Sequence, residues 1–125
     1  MTQAQAKPGK TLLSPNDHTL IMIDHQSQMA FATKSIDPVL LRNNVALVAK
    51  TAREFSVSTI LTTVAEKTFS GPIFEEISST FPGQATIDRT SMNTWEDARI
   101  TARVNEIGKS RIVRQRLATQ RPLYI

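Results

Sequence analysis

The stretch Thr19-Leu20-Ile21-Met22-Ile23-Asp24-His25-Gln26 decides how the chain is read. Four large apolar residues in a row, broken abruptly by a carboxylate, an imidazole and an amide, suit a strand buried on both faces, as in a parallel sheet with helices on each side. Asp24 then stands where the strand ends. In open α/β sheets ligands bind outside the carboxyl ends of the strands, so a carboxylate there is placed for chemistry. The same residue serves equally well to cap a turn or begin a loop.

Working outward, residues 1–16 are polar, with Pro8, Gly9 and Pro15, and predict a flexible N-terminal arm that joins the first strand near Asp17 or His18. Beyond Gln26, a loop from Ser27 to Ile36 carries Met29 and Phe31, apolar side chains suited to closing over a sheet end. Asp37-Pro38 is a helix start, an N-cap followed by the residue pre-organised for the first helical position. Leu41, Val45, Val48, Ala52 and Phe55 recur at steps of four and three, so the spacing predicts a helix over 38–55 with one apolar face. The β-branched run Val57 to Val64 predicts a second strand. Strand, helix and strand make a right-handed parallel crossover, which brings Thr62, Thr63 and Glu66 to the same sheet edge as Asp24.

A shorter helix is expected from Ser70-Gly71-Pro72, carrying Ile73, Phe74 and Ile77, then a third strand Ala85–Asp88 with Arg89 just past its end. Thr94-Trp95-Glu96-Asp97 has capping-box spacing and opens a third helix, with Ile100, Val104 and Ile107 on its buried side and Gly108 as its stop. Arg111-Ile112-Val113 begins a fourth strand. This alternation indicates an α/β/α sandwich of three layers around a mostly parallel sheet. Polar residues gather at its strand ends: Asp24, Gln26, Thr63, Arg89 and Asn93.

Composition narrows the function classes. With 125 residues, 40% hydrophobic and 21% charged, the chain suits one packed domain, and no run is apolar enough to span a bilayer or lead secretion. A cytoplasmic location and no membrane partner are the resulting expectations. Cysteine is absent, which removes disulfides, thiolate metal sites and a thiol nucleophile. The net charge is +4, but Arg114, Arg116 and Arg121 in an acid-free C-terminal dozen supply three of those charges, and Tyr124 is the one aromatic among them. Nucleic acid is therefore not an expected partner. Four glycines form neither G-x-G-x-x-G nor a P-loop, so no nucleotide cofactor is expected. His18 and His25 flank one strand seven residues apart, at opposite ends and on opposite faces, so no shared metal is expected either.

The positioned pair that remains is Asp24 with Arg89. A carboxylate beside a guanidinium stays ionised at neutral pH and can take a proton from a nucleophile, although without further context such a pair is more often a structural ion pair.

The segments Ile21-Met22-Ile23-Asp24-His25-Gln26, Ile36-Asp37-Pro38, Arg42-Asn43-Asn44-Val45, Leu61-Thr62-Thr63, Gly71-Pro72, Phe81-Pro82, Ile87-Asp88-Arg89 and Asn93-Thr94-Trp95 occur in the order found in the isochorismatase-like cysteine hydrolases. Over about residues 12–113 the chain resembles that family, and most of all the branch of small hydrolases with Asp-His-Gln after the first strand. The resemblance implies a six-stranded parallel sheet, first strands ordered 3-2-1-4, and an Asp, Lys or Arg, and Cys triad that hydrolyses small amides or related C–N and C–O bonds without a cofactor. Asp24 matches the general base and Arg89 the Lys or Arg position. Asn93 and Trp95 match residues near the family's pocket, with loop capping and core filling as the plain alternatives, and Gln26 and Thr63, by their place at the strand ends, are the further candidates for contact with a small-molecule substrate.

The resemblance fails at the end. Where the family continues as Ala-Gly-x-x-Thr-x-x-Cys, this chain reads Gln115-Arg116-Leu117-Ala118-Thr119-Gln120-Arg121-Pro122, with Pro122 in the place of the nucleophile. The expectation is therefore a flexible arm over 1–16, a partial isochorismatase-like domain over 17–113 with four strands and three helices, and a divergent basic tail over 114–125. On this reading the chain is a truncated or frame-shifted member, or else a short protein with a divergent terminus. It would be inactive, and its open fourth strand would favour homo-oligomers or a non-catalytic interaction module.

Overall fold

A computed structural model of the chain describes residues 12–28 and 37–116, together with the backbone of 29 and 30. Met29 and Phe31, expected to cover the sheet end, lie outside the described side chains, as do most of the N-terminal arm and the last nine residues of the basic tail. The elements run β1 (His18–Ile23), α1 (Ser27–Ala30), α2 (Pro38–Glu54), β2 (Ser58–Val64), α3 (Glu75–Ser78), β3 (Thr86–Arg89), α4 (Ala98–Ile107) and β4 (Arg111–Arg116). A π-helical turn spans Glu66–Ser70 and a 3-10 turn Thr94–Glu96. All strand pairs are parallel and the order is β3-β2-β1-β4, as expected.

β1 is central because it is apolar on both sides. Leu20 and Met22 face α2 and α3, packing with Leu41, Val45, Ala49, Ala52, Leu61, Phe74 and Ile77. Ile21 and Ile23 face the opposite layer, with Ile60 and Ile100. The two clusters make the three-layer α/β/α sandwich.

Asp37 starts α2 as predicted: its Oδ2 accepts from Val39 N and Leu40 N, both at 3.1 Å, with Pro38 in the first turn. The helix stops one residue earlier than predicted. Ser56 turns left-handed at φ 54° and Val57 N donates to Ala52 O at 2.8 Å, closing the end. Phe55, expected on the buried face, is consequently 59% exposed, and Ala49 is buried in its stead.

Two further expectations are corrected. The helix expected from Ser70 is reduced to Glu75–Ser78, because the chain before it is used to close over the end of β1. Ser27 N donates to Pro72 O, Phe74 N to His25 O, and Gln26 bridges to Ile73. Gly71, at φ 77°, passes so close that a Cβ would meet the Ser27 hydroxyl at 2.7 Å. The Thr94–Asp97 capping box does not form. Asn93 caps the 3-10 turn, Asp97 caps α4, and the buried Thr94 hydroxyl has no partner among the described residues. Gly108, left-handed at φ 74°, does stop α4.

The expected boundaries at either end also move. Ser14 N donates to Asp17 Oδ1 at 3.0 Å and Arg111 Nη1 to Leu12 O at 3.0 Å, so the last residues of the expected arm are tied to the sheet. β4 continues three residues past the boundary expected at 113, pairing Arg114, Gln115 and Arg116 with Ile21, Met22 and Ile23.

Candidate active site

The carboxyl ends of β1, β2 and β3 meet at Asp24. Had the strand stayed extended, alternation would put Asp24 on the face of Leu20 and Met22. Asp24 instead adopts φ 61°, a left-handed conformation that Asp tolerates better than most residues, and its N–H donates to Thr62 O at 3.0 Å. This brings the carboxylate to the other face of the sheet, where Arg89 lies two residues beyond Ile87 on β3.

Arg89 is the last residue of β3 rather than the first beyond it, and it is fully buried. Its Nη2 donates to Asp24 Oδ1 at 3.0 Å and Oδ2 at 3.1 Å, and its Nη1 to Oδ1 at 3.1 Å. Nη1 also donates to the Thr62 hydroxyl at 3.1 Å, Nε to Ser91 O at 3.3 Å and Nη2 to Met92 O at 3.5 Å. The guanidinium is thus consumed by its surroundings and offers no direction to a ligand. Its role is to hold the acid. The Asp24 side chain remains 15% exposed, and Oδ2, with one bond to Oδ1's two, is the oxygen with acceptor capacity left. Burial pushes the Asp24 carboxyl above its ordinary value, against the opposing pull of Arg89 and Arg116. A carboxylate so placed, partly desolvated and fixed in direction, suits a general base.

The other predicted residues divide. Gln26 is buried and its amide is fully engaged: Nε2 donates to Val64 O and Gly71 O, at 3.0 and 2.7 Å, and Oε1 accepts from Val64 N at 2.9 Å. It clips β1 to the end of β2 and presents no free polar atom. Thr63 is at the expected edge but on the opposite face, donating to Asp88 Oδ1 at 2.7 Å. Its neighbour Thr62 is the one in the centre, donating to Ile87 O at 2.8 Å while accepting from Arg89. Alternation from Ile60, which packs on the Arg89 side, is the signal that could have picked Thr62 over Thr63. Asn93 is exposed and its Oδ1 accepts from Trp95 N at 3.1 Å, and Trp95 packs against the Ile21–Ile60 cluster. The contacts described for these two residues are a loop cap and core packing.

His25 follows the acid directly and is 1% exposed, edge-on to Phe74 with ring centroids 6.2 Å apart. Neither ring nitrogen has a partner among the described residues, and burial lowers its pKa to about 4, so it is neutral. Among the described residues no three His, Cys, Asp or Glu side chains gather as metal ligands. An apolar groove of about 480 Å³, lined by Leu13, His18, Leu47, Phe55 and Val113 among others, lies at the other end of the sheet from the acid.

The chain is 30% identical over 102 residues to a protein of Escherichia coli K12 named probable hydrolase YcaC. The match takes in 81% of this chain and 49% of YcaC. The chain is homologous to YcaC. The crystal structure of the E. coli YcaC gene product, described as an octameric hydrolase of unknown specificity, superposes with a TM-score of 0.81 at 29% identity, over 88% of this chain and 54% of that one. YcaC from Pseudomonas aeruginosa, solved with hexane-2,5-diol and covalent acrylamide, gives the same TM-score and identity over 86% of this chain and 54% of its own. This chain therefore spans about half the length of the YcaC proteins it matches. No family model matches it. The expected α/β fold is borne out by the four-stranded parallel sheet and its superposition on YcaC.

Proposed function

We propose that these residues form the acid-and-guanidinium half of an isochorismatase-like hydrolytic centre for small amide or related C–N and C–O substrates, and that the 125 residues alone do not turn such substrates over. One observation carries the reading: Asp24, turned left-handed at a parallel strand end, is held by a buried Arg89 that bonds both its oxygens, while its side chain keeps 15% of its surface exposed. In a complete centre that oxygen would take the proton from a thiol, the thiolate would attack a carbonyl carbon, and water would release the intermediate. The acrylamide held covalently by the Pseudomonas relative calls for a nucleophilic atom, and no cysteine is present among these residues to supply one. Losing the nucleophile of a covalent mechanism typically removes several orders of magnitude of rate.

The test is an assay of the purified chain against a panel of small amides and esters, with Asp24→Asn as control. The expected outcome is no turnover above buffer for either protein. Turnover that the Asn variant abolishes would overturn the inactivity.

A second reading, a non-catalytic homo-oligomeric module, is supported by two observations. The E. coli relative is octameric, and Val39, Leu40 and Leu47 are exposed on α2.

A further inference from the structure

Asp24 and Arg89 come from strands that are not neighbours in the sheet. β1 and β3 flank β2, so their axes stand about 9.5 Å apart, two strand spacings, and the ion pair has to reach across the middle strand. The residue of β2 at that point is Thr62, in register with Ile23 on one side and Ile87 on the other. Thr62 and Arg89 are both fully buried.

Thr62 bonds to both members of the pair. Its carbonyl oxygen accepts from Asp24 N at 3.0 Å, at the residue that turns left-handed, and its hydroxyl accepts from Arg89 Nη1 at 3.1 Å. The hydroxyl has a single proton, which it donates to Ile87 O at 2.8 Å. Toward the guanidinium it can therefore only accept, and it has no proton left to offer the carboxylate. A side chain without that oxygen would leave a buried N–H of a cation unpaired.

We infer that Thr62 is a positioning residue of this centre: its carbonyl holds the backbone of Asp24 while its hydroxyl aims Arg89, so that Oδ1 of the acid takes two guanidinium bonds and Oδ2 one. Its bearing on catalysis rests on the reading of Asp24 as a general base, and the coupling itself on the bonds alone. Thr63, the next residue of β2, supplies the contrast, since its hydroxyl serves Asp88 on the opposite face at 2.7 Å.

The coupling has a sign. Burial raises the proton affinity of Asp24 most, Arg89 of β3 and Arg116 of β4 lower it, and Asp88 of β3 raises it. Loosening Arg89 should therefore let Asp24 keep its proton to higher pH.

The experiment is an NMR titration of the Asp24 side-chain carboxyl carbon in the full chain, assigned with Asp24→Asn, for the parent, Thr62→Val, Thr62→Ser and Thr63→Val. Thr62→Val keeps the shape and removes the oxygen, and should raise the Asp24 pKa by about one unit, tenfold in proton affinity. Thr62→Ser keeps the oxygen and should titrate as the parent does, as should Thr63→Val. The Arg89 guanidinium gives a reading that holds even if Thr62→Val fails to fold: in the parent its Nη protons should show separate, slowly exchanging signals. An unmoved Asp24 pKa in a Thr62→Val protein that merely melts earlier, the mark of a structural threonine, would overturn the inference. So would a lowered pKa, a Thr62→Ser protein that titrates like Thr62→Val, an equal shift in Thr63→Val, or averaged, fast-exchanging Nη signals in the parent. Turnover assays decide whether Asp24 is a base and these titrations whether Thr62 governs it, so either can fail without the other.

Discussion

β2 and β4 are both parallel partners of β1, yet β2 is buried from Thr59 to Val64 while β4 is buried at alternate residues and only partly. Pairing is not what separates them. β2 has α2 and α3 on one face and α4 on the other, whereas β4 has packing through Val113 on one face and solvent on the other. Backbone hydrogen bonds place a strand, and the layers bury it. The sequences follow suit: β2 contains no charge, and β4 contains three arginines.

The sharpest contrast between the two regions is between arginines. Arg89, paired with β2 and fully buried, should cost about 3–5 kcal/mol when replaced by Met, because Asp24 is left as a partly desolvated charge without its partner. Arg114→Met on the exposed face of β4 should change stability by less than about 0.5 kcal/mol. Urea unfolding of both variants reads the difference. Adding Asp24→Asn to Arg89→Met should restore part of the loss, and equal effects at 89 and 114 would remove the distinction between the two sides of the sheet.

The next effect concerns apolar residues. Ile60, 2% exposed between β1 and α4, should lose about 2–5 kcal/mol on replacement by Ala. Ile112, 37% exposed, should lose less than about 1 kcal/mol. If Ile112→Ala proved as costly as Ile60→Ala, the outer face of β4 would be covered in solution.

The smallest of the three belongs to pH and to the closed end of β1. His25 is neutral in the fold with a pKa near 4, against 6.5 when unfolded, so the unfolded chain binds the proton more readily between those values. This contribution to stability is present above pH 6.5 and is lost as pH falls toward 4, amounting to about 3 kcal/mol. Asp24, whose carboxyl is raised by burial, acts in the opposite sense, since the fold then takes up its proton more readily than the unfolded chain. The His25 share is therefore the difference between the parent and His25→Phe in urea melts across pH 4–7. Equal slopes in the two proteins would mean that the imidazole finds solvent or a partner in solution.

The fold was legible wherever one residue pattern pointed to one structure. The apolar run of β1, the Asp37-Pro38 start and the spacing of α2 all led to elements found within a residue or two. Legibility fell where tertiary bonds compete with local preference. Ser70-Gly71-Pro72 reads as a helix start, but crossing Gln26 and Ser27 consumes that segment. Thr94 has the spacing of a cap, but its neighbours Asn93 and Asp97 do the capping. In the site, Asp24 and Arg89 could be picked by type and strand end, whereas Gln26 and Thr63 could not be told from ligand-facing residues before their partners were known.

The sequence by itself determined that this is a layered parallel α/β chain, with a carboxylate and a guanidinium at neighbouring strand ends and no thiol. Those are matters of residue type and period, which are local. Only the tertiary structure decided which face each polar side chain uses. The left-handed turn at Asp24 reverses the alternation that the strand would impose, and Arg89, buried and bound on every side, is there to receive the carboxylate.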